Sequence, residues 1–168
     1  MMDWILHKGV LITHTRVEDT PVTVLNTHLT ANYTGNWGRN NLFARQEHGE
    51  LMQIADLVNA QPHDHLVVLC GDFNIPRGSW LYDSLLNETG LIDPLAGDTR
   101  PTFRPYSGMG MHYSAPIDFT LYRAPSMLHV RAESDLRFTE KVEIGGRRTH
   151  ISDHLGIGTH FEWVAPLK

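Results

Sequence analysis

The sequence predicts an α/β or α+β fold in which helices pack on sheets. Short apolar runs bounded by turn residues predict strands, and two segments with apolar residues at helical spacing predict helices. The elements begin in the order strand, strand, helix, strand, helix, and further strands follow. With 168 residues, of which 41% are hydrophobic and 20% charged, the chain has the size and composition of one globular domain, which we expect to span residues 1–168.

The first two strands are predicted at about 9–17 and 22–29, with a turn at 18–21, and this pattern indicates a hairpin. A helix is predicted over about 42–60, where apolar residues recur at helical spacing. The segment 30–41 between them is rich in Asn and Gly and predicts a long loop.

The loop carries Tyr33 and Trp37, and Asn40 or Asn41 is expected to cap the helix that follows. The run "HLVVLC" predicts a strand buried on both faces, and "SWLYDSLLNETG" predicts a short helix capped by Ser79 and ended by Gly90. Further strands are expected at 117–123, 128–138 and 154–164, with loops at 99–116 and 141–150.

Charge and targeting signals restrict the function. A formal net charge of -5 disfavours sequence-independent binding to nucleic acid, which usually relies on a basic surface. The N-terminal stretch contains His7 and Lys8 and no small-residue cleavage site, so it predicts no secretory signal, and no segment is long enough to span a bilayer. We therefore expect a cytoplasmic protein.

Polar side chains mark the ends of four predicted strands. In "CGDFNIP", Asp72 and Asn74 follow an apolar run and, as alternate strand residues, are expected to point the same way. The alternative for this pair is an Asx-type turn. The other three ends carry His28, Asp118, and Asp153 with His154. A lone buried His or Asp is usually a structural hydrogen-bonded group, but four such ends favour one shared site.

The motifs "NTHL" (26–29), "GDFN" (71–74), "IDF" (117–119) and "SDH" (152–154) stand in the order and spacing of the endonuclease/exonuclease/phosphatase superfamily, which the chain resembles from about residue 9 onward. The resemblance implies a four-layer α/β/β/α sandwich and a Mg²⁺-dependent phosphoesterase. The segments around the first motif and "GDTRPTFRP" look most like the neutral sphingomyelinase-like branch. The chain would then correspond to the C-terminal two-thirds of the usual fold and lack its N-terminal strands.

Metal and histidine roles follow from this resemblance. Asp153 would hold Mg²⁺, with Mn²⁺ as the alternative ion, because hard cations prefer oxygen ligands. Asp118 would orient His154, which would act as a general base or bind the phosphate.

The other strand ends would complete the site. His28 would serve as an acid or an oxyanion stabiliser, Asp72 would position or deprotonate the attacking water, and Asn74 would donate to a phosphoryl oxygen. Three loop residues are expected to contact substrate, namely Tyr33, Trp37 and Arg104. The alternative is that they only hold their loops in place.

Four alternatives stay open at this point. The family's usual Glu metal ligand, carried by an upstream strand, has no counterpart at a strand end here, so the chain could be a catalytically impaired remnant or half-domain that binds phosphate ligands or a partner chain. An incomplete sheet would also leave an edge open to a second copy or a complementing chain. The substrate could be nucleic acid, although the charge disfavours it, and the spacing of His150 and His154 weakly suggests zinc.

Overall fold

The main sheet has four strands in the computed structural model, which describes residues 8–106, 109–110 and 112–164. In chain order the elements are β1 (Val10–Val17), β2 (Thr20–His28), α1 (Leu42–Asn59), β3 (Leu66–Asp72), α2 (Trp80–Thr89), β4 (Asp118–Arg123), β5 (His129–Arg137), β6 (Val142–Ile144), β7 (Arg147–Thr149) and β8 (Gly156–Val164). The alternation predicted from the sequence is confirmed.

The strands of the main sheet follow the order β1-β2-β3-β4. β1 and β2 form the predicted antiparallel hairpin, whose turn is shorter than expected, because Thr20 and Pro21 already pair with Val17 and Arg16. β2 and β3 are parallel and β3 and β4 antiparallel. The ends of β2 and β3 and the beginning of β4 therefore meet at one edge.

Both helices begin where capping chemistry predicts, and α2 also ends where it predicts. The Asn41 side chain accepts hydrogen bonds from the amides of Phe43 and Ala44 at the start of α1. Ser79 caps α2 in the same way, and Gly90 ends it in a left-handed conformation with φ 65°. These caps fix α1 and α2 at the positions the sequence indicates.

The strand β3 is buried on both faces, as its apolar run predicts. Val67 and Leu69 face the helices in a core that also contains Leu25 and Leu121. The alternate residues of β3, Leu66 and Val68, face the strands of a second sheet. They lie in a core of Val22, Leu66, Val68, Tyr122 and Val130.

The second sheet pairs β5 with β8 in antiparallel register. The prediction of an irregular segment at 141–150 is wrong, because β6 and β7 form an exposed hairpin there. Gly145 and Gly146 make its turn possible, since both adopt positive φ values of 57° and 75°.

The described residues therefore form three layers, with helices on one face of the main sheet and the second sheet on the other. The predicted α/β fold class is confirmed, and these residues contain three layers of the predicted sandwich, which the sequence indicated to be incomplete. Neither described helix has the length and apolar character needed to cross a membrane.

Candidate active site

Three of the predicted site residues lie side by side across the main sheet. His28 is the register partner of Asp72, and Asp72 is the register partner of Asp118. Residues paired in register project to the same face of a sheet, so the three side chains share one surface. The predicted convergence of these strand ends is present in the structure.

Gly71 allows the strands to come this close. Its φ is 141°, and a Cβ atom at this position would lie 1.9 Å from the carbonyl oxygen of Thr27. Only glycine accommodates that conformation and that approach. The glycine before Asp72 therefore brings the end of β3 against the end of β2, where His28 lies.

His154 enters the same cluster from the turn before β8. Its Nδ1 atom lies 2.9 Å from Oδ2 of Asp118, and its Nε2 atom lies 3.8 Å from Oδ2 of Asp72. That Asp72 oxygen also lies 3.6 Å from Nε2 of His28. Asp72 and Asp118 are largely buried, whereas the His28 side chain is 61% exposed.

Hydrogen bonding sets the protonation of His154. The hydrogen bond that the His154 ring donates to the Asp118 carboxylate raises the pKa of His154, and the charges of Asp118, Asp72 and Asp153 act in the same direction. Burial opposes this shift but is the smaller effect. The imidazole is therefore held toward its protonated form, as the predicted role of Asp118 requires.

Burial dominates the titration of Asp72. It raises the pKa of Asp72 to about 6, with a further contribution from the nearby charge of Asp118. The backbone N–H of Asn74 donates to Oδ1 of Asp72 at 2.9 Å and, with the charges of His154 and Lys8, lowers the pKa in part. A carboxyl group with this pKa exchanges protons near neutral pH.

Asn74 has a different geometry from that of a strand residue. β3 ends at Asp72, and Asn74 has φ 54°, so strand alternation does not extend to it. Its buried side chain donates from Nδ2 to the carbonyl oxygen of Leu29 at 3.0 Å. Asp72 therefore forms the Asx-type turn that was considered as the alternative, and its carboxylate also faces the two histidines. Donation from Asn74 to a phosphoryl oxygen stays a prediction.

Asp153 lies beside His154, and its charge contributes to the pKa of that imidazole. Its carboxylate is not part of the one group of possible metal ligands found among the described residues, which comprises Asp72, Asp118 and His154 with ligand atoms within 4.8 Å of one another. Direct coordination by Asp153 therefore stays a prediction. No glutamate belongs to that group within the described ranges.

The aromatic residues of loop 30–41 hold that loop in place. The Trp37 indole N–H donates to the carbonyl oxygen of Asn74 at 2.9 Å, and its ring packs edge-on against Tyr113 with centroids 5.1 Å apart. Tyr33 is half exposed and contacts Phe43. Trp37 thus links the loop to the turn after Asp72, and contact of Tyr33 and Trp37 with substrate stays a prediction.

Arg104 connects the loop 99–116 to the turn that carries His154. Its backbone N–H donates to the carbonyl oxygen of Asp153 at 2.7 Å, and its Nη2 atom lies 3.3 Å from Nδ1 of His150. Its Nε atom is buried and has no hydrogen-bond partner among the residues that the structure describes. Arg104 therefore pins the loop, and its contact with substrate stays a prediction.

The zinc alternative finds no geometric support among the described residues. Nδ1 of His150 faces Arg104 and Nδ1 of His154 faces Asp118, and the two residues lie in a turn rather than on one helical face. The possible metal-ligand group contains only the second of these histidines.

Sequence reasoning missed three residues next to the site. Phe103 packs on the His154 ring with centroids 5.0 Å apart, and the Thr102 hydroxyl accepts from the Asp118 amide at 3.1 Å. The charge of Lys8 acts on Asp72. Lys8 could have been found, because β1 runs antiparallel to β2 and the start of β1 lies beside the end of β2.

Comparisons with known proteins show similarity in sequence to one family and in fold to several solved structures. The model of the Endonuclease/Exonuclease/phosphatase family matches residues 3–154. No protein of curated function is significantly similar to the chain in sequence.

Solved structures share the fold at low identity. Beta toxin from Staphylococcus aureus superposes with a TM-score of 0.68 at 19% identity, over 91% of this chain and 57% of that chain, and another structure of the toxin contains bound magnesium ions. TDP2 from D. rerio, complexed with a single strand DNA product, gives 0.66 at 19% identity, over 92% and 62%. Sphingomyelinase C from Streptomyces griseocarneus gives 0.58 at 22% identity, over 90% and 56%. The chain thus spans less than two thirds of each of these proteins.

Proposed function

The chain belongs to the endonuclease/exonuclease/phosphatase family, and from that membership we propose that it hydrolyses a phosphodiester by in-line attack of water on phosphorus. One observation carries the proposal: two carboxylates and two imidazoles from four separate segments lie together. The rings of His28 and His154 both approach Oδ2 of Asp72, and the His154 ring also contacts Asp118. Acid and base groups placed together with shifted pKa values are typical of hydrolytic sites.

The pKa directions divide the roles between the groups. Asp72, with a pKa of about 6, is ionised at neutral pH and accepts a proton from the attacking water as the water oxygen bonds to phosphorus. His154, held toward its protonated form by Asp118, binds the phosphoryl oxygens. The exposed His28 lies across Asp72 and donates a proton to the leaving oxygen, or stabilises its charge, as the bond from phosphorus to that oxygen breaks.

The acidic side of the site fits a divalent cation. The carboxyl groups of Asp72 and Asp118 lie close enough for the charge of one to raise the pKa of the other, and such a pair is a suitable oxygen donor set for Mg²⁺ or Mn²⁺. These two residues would hold the ion, with Asp153 as a further ligand. When bound, the ion would neutralise charge on the phosphate.

Two classes of substrate are consistent with the fold. The net charge of -5 favours a lipid phosphodiester of the sphingomyelin type over nucleic acid, because the phosphate backbone of nucleic acid is attracted to basic surfaces. The structural neighbours include both a sphingomyelinase and a protein bound to a DNA product. We therefore propose a sphingomyelinase-like activity, with nucleic acid as the alternative substrate and a non-catalytic phosphate-binding role as the alternative function.

Hydrolysis of bis-p-nitrophenyl phosphate with Mg²⁺ tests the reaction. We expect His154→Ala and Asp72→Ala to lower kcat by about 10²–10⁴-fold, as loss of an acid or base group does. Matched controls are His160→Ala and Asp135→Ala, which remove exposed side chains of β8 and β5. Equal rates in all five proteins would refute the proposal.

The substrate class needs a second assay. Release of phosphocholine from sphingomyelin vesicles, without nicking of plasmid DNA under the same conditions, is the expected result. Nicking without release of phosphocholine would assign the activity to nucleic acid instead.

A further inference from the structure

The pair formed by Asp118 and His154 joins two sheets. Asp118 is the first residue of β4 in the main sheet, and His154 precedes β8 in the second sheet, 36 residues further along the chain. Neither sheet alone fixes the 2.9 Å distance between His154 Nδ1 and the Asp118 carboxylate. Some other segment must hold the two backbones in place.

The segment 102–104 holds the histidine side. The amide of Leu155 donates to the carbonyl oxygen of Thr102 at 2.7 Å, and the amide of Arg104 donates to the carbonyl oxygen of Asp153 at 2.7 Å. These two hydrogen bonds flank His154 on both sides along the chain. The position of the imidazole therefore depends on this segment.

The same segment holds the aspartate side. The amides of Thr102 and Phe103 both donate to the carbonyl oxygen of Ala115, at 3.1 and 3.0 Å. The Thr102 hydroxyl oxygen, which is fully buried, accepts hydrogen bonds from the amides of Ile117 at 3.0 Å and Asp118 at 3.1 Å. Buried amides without a partner are unfavourable, so this hydroxyl group stabilises the backbone at the start of β4.

The aromatic ring of the next residue completes the support. Phe103 is 3% exposed and packs on the His154 ring at a tilt of 44°. This contact limits rotation of the imidazole about its side-chain bonds and excludes water from one of its faces.

We propose that Thr102 is a positioning residue for the phosphodiester hydrolysis proposed above, on which this inference rests. Its hydroxyl group fixes the backbone of Asp118, and its carbonyl group fixes the backbone of Leu155 next to His154. One residue thereby sets the geometry of the hydrogen bond between Asp118 and His154. Thr102 itself is fully buried, so it acts through Asp118 and His154.

The substitutions Thr102→Val and Thr102→Ser separate the hydroxyl group from the shape of the side chain. Valine keeps the shape and removes the hydroxyl, whereas serine keeps the hydroxyl. Thr159→Val is the matched control, because it removes a hydrogen-bonded hydroxyl from β8 that bonds to Ser134 instead.

Two measurements report on the position of His154. The first is the downfield proton resonance of the His154 Nδ1–H group, recorded at one fixed pH and without substrate. The second is the separate determination of kcat and KM with bis-p-nitrophenyl phosphate. We expect Thr102→Val to abolish the resonance and lower kcat by about 10–100-fold with little change in KM, since misplacing a catalytic group has effects of this size. Serine and the Thr159 control should retain both.

Equal resonances and equal kcat values in the valine and serine variants would overturn the proposal. If the valine variant does not fold, hydrogen exchange in the unaltered protein decides: slow exchange of the Ile117 and Asp118 amides supports the proposal, and exchange at the rate of an exposed amide overturns it. The two measurements fail separately, because the resonance needs no substrate. An unaltered chain without hydrolytic activity would refute the proposed function. Loss of the resonance in its valine variant would still support the positioning role of Thr102.

Discussion

The substitution Glu47→Gln is expected to change how the stability of the protein depends on pH. Glu47 lies on α1 with no exposed surface, and its Oε2 atom lies 3.4 Å from Nδ2 of Asn32. Within the described part of the chain its Oε1 atom has no hydrogen-bond partner. Burial raises the pKa of Glu47 from 4.5 to about 8, and the charge of Glu50 adds to this effect, whereas hydrogen bonds from Asn32 and Trp37 oppose it.

The direction of the effect follows from proton binding. Between pH 4.5 and about 8 the folded chain keeps a proton on Glu47 that the unfolded chain has released, so the free energy of unfolding falls as pH rises through this range. The stabilisation is fully present below pH 4.5 and is lost once pH exceeds about 8. Because each pKa unit corresponds to about 1.4 kcal/mol, the total loss is roughly 4–5 kcal/mol.

Glutamine cannot ionise, so the variant should lack this decline. Urea unfolding followed by tryptophan fluorescence from pH 4 to 9 measures the free energy of unfolding of both proteins. The variant should match the unaltered protein near pH 4, within about 1 kcal/mol for the altered hydrogen bond. It should exceed the unaltered protein by roughly 4–5 kcal/mol above pH 8.

The difference between the two proteins isolates Glu47 from the other groups that titrate in this range. Glu88→Gln, which replaces an exposed carboxylate on α2, is the control and should leave the pH dependence unchanged. A constant difference between the Glu47 variant and the unaltered protein at every pH would refute the reasoning.

Three further predictions follow from the structure. Gly71→Ala should lower the free energy of unfolding by about 3 kcal/mol or more, measured by urea unfolding, because the new Cβ would lie 1.9 Å from a carbonyl oxygen of β2. Asp93→Ala should lower it by about 3–5 kcal/mol in the same assay, since it leaves the guanidinium of Arg77, 2.7 Å away and almost fully buried, without its partner. Hydrolytic activity should fall toward acid pH by about tenfold per pH unit below the pKa of Asp72, which is raised to about 6 in the chain without a cation, because the protonated carboxyl group cannot accept a proton from water. A bound cation would lower this pKa, so the fall should move to lower pH as the Mg²⁺ concentration rises, and a fall at the same pH at every Mg²⁺ concentration would refute the joint roles of Asp72 as base and cation ligand.

The elements with strong local signals could be predicted from the sequence. The caps Asn41 and Ser79 and the helix end at Gly90 occur where the residue types indicate, because each signal depends on the local backbone alone. The hairpin of β6 and β7 was not predicted, because two strands of three residues with exposed side chains show no alternation of apolar and polar positions.

The site could be predicted as far as it depends on strand ends. His28, Asp72 and Asp118 meet because their strands pair in register, and the positions of the motifs indicated this. The orientation of Asn74 could not be predicted, because it depends on a positive φ just beyond the strand. The role of Thr102 depends on tertiary hydrogen bonds to β4, for which a loop sequence gives no local signal.

Glu47 shows a signal that sequence reasoning can use. It lies three residues after Ala44 and four before Leu51, on the helix face formed by the buried residues of α1, where an acidic residue is unexpected. A carboxyl group on an apolar stripe indicates a buried polar contact, and here that contact is Asn32 in the loop beside the site.

Two acidic groups near this end of the sheet are expected to respond differently to the proposed cation. Burial raises the pKa of Tyr113 to about 12, and the charges of Asp72 and Glu47 add to this effect, so the two carboxyl groups act on one region of the protein. Burial makes the ionised forms of Asp72 and Glu47 unfavourable. Of these two residues, only Asp72 belongs to the possible metal-ligand group, whose ligand atoms lie within 4.8 Å of one another. A divalent cation bound at Asp72 and Asp118 would therefore lower the pKa of Asp72 and stabilise the folded chain in proportion to the logarithm of its concentration. The same cation would leave the titration of Glu47 nearly unchanged, because that carboxyl is enclosed by α1 and the loop 30–41. The difference between the titrations of Asp72 and Glu47 would therefore distinguish a cation site from acidic groups that are merely buried.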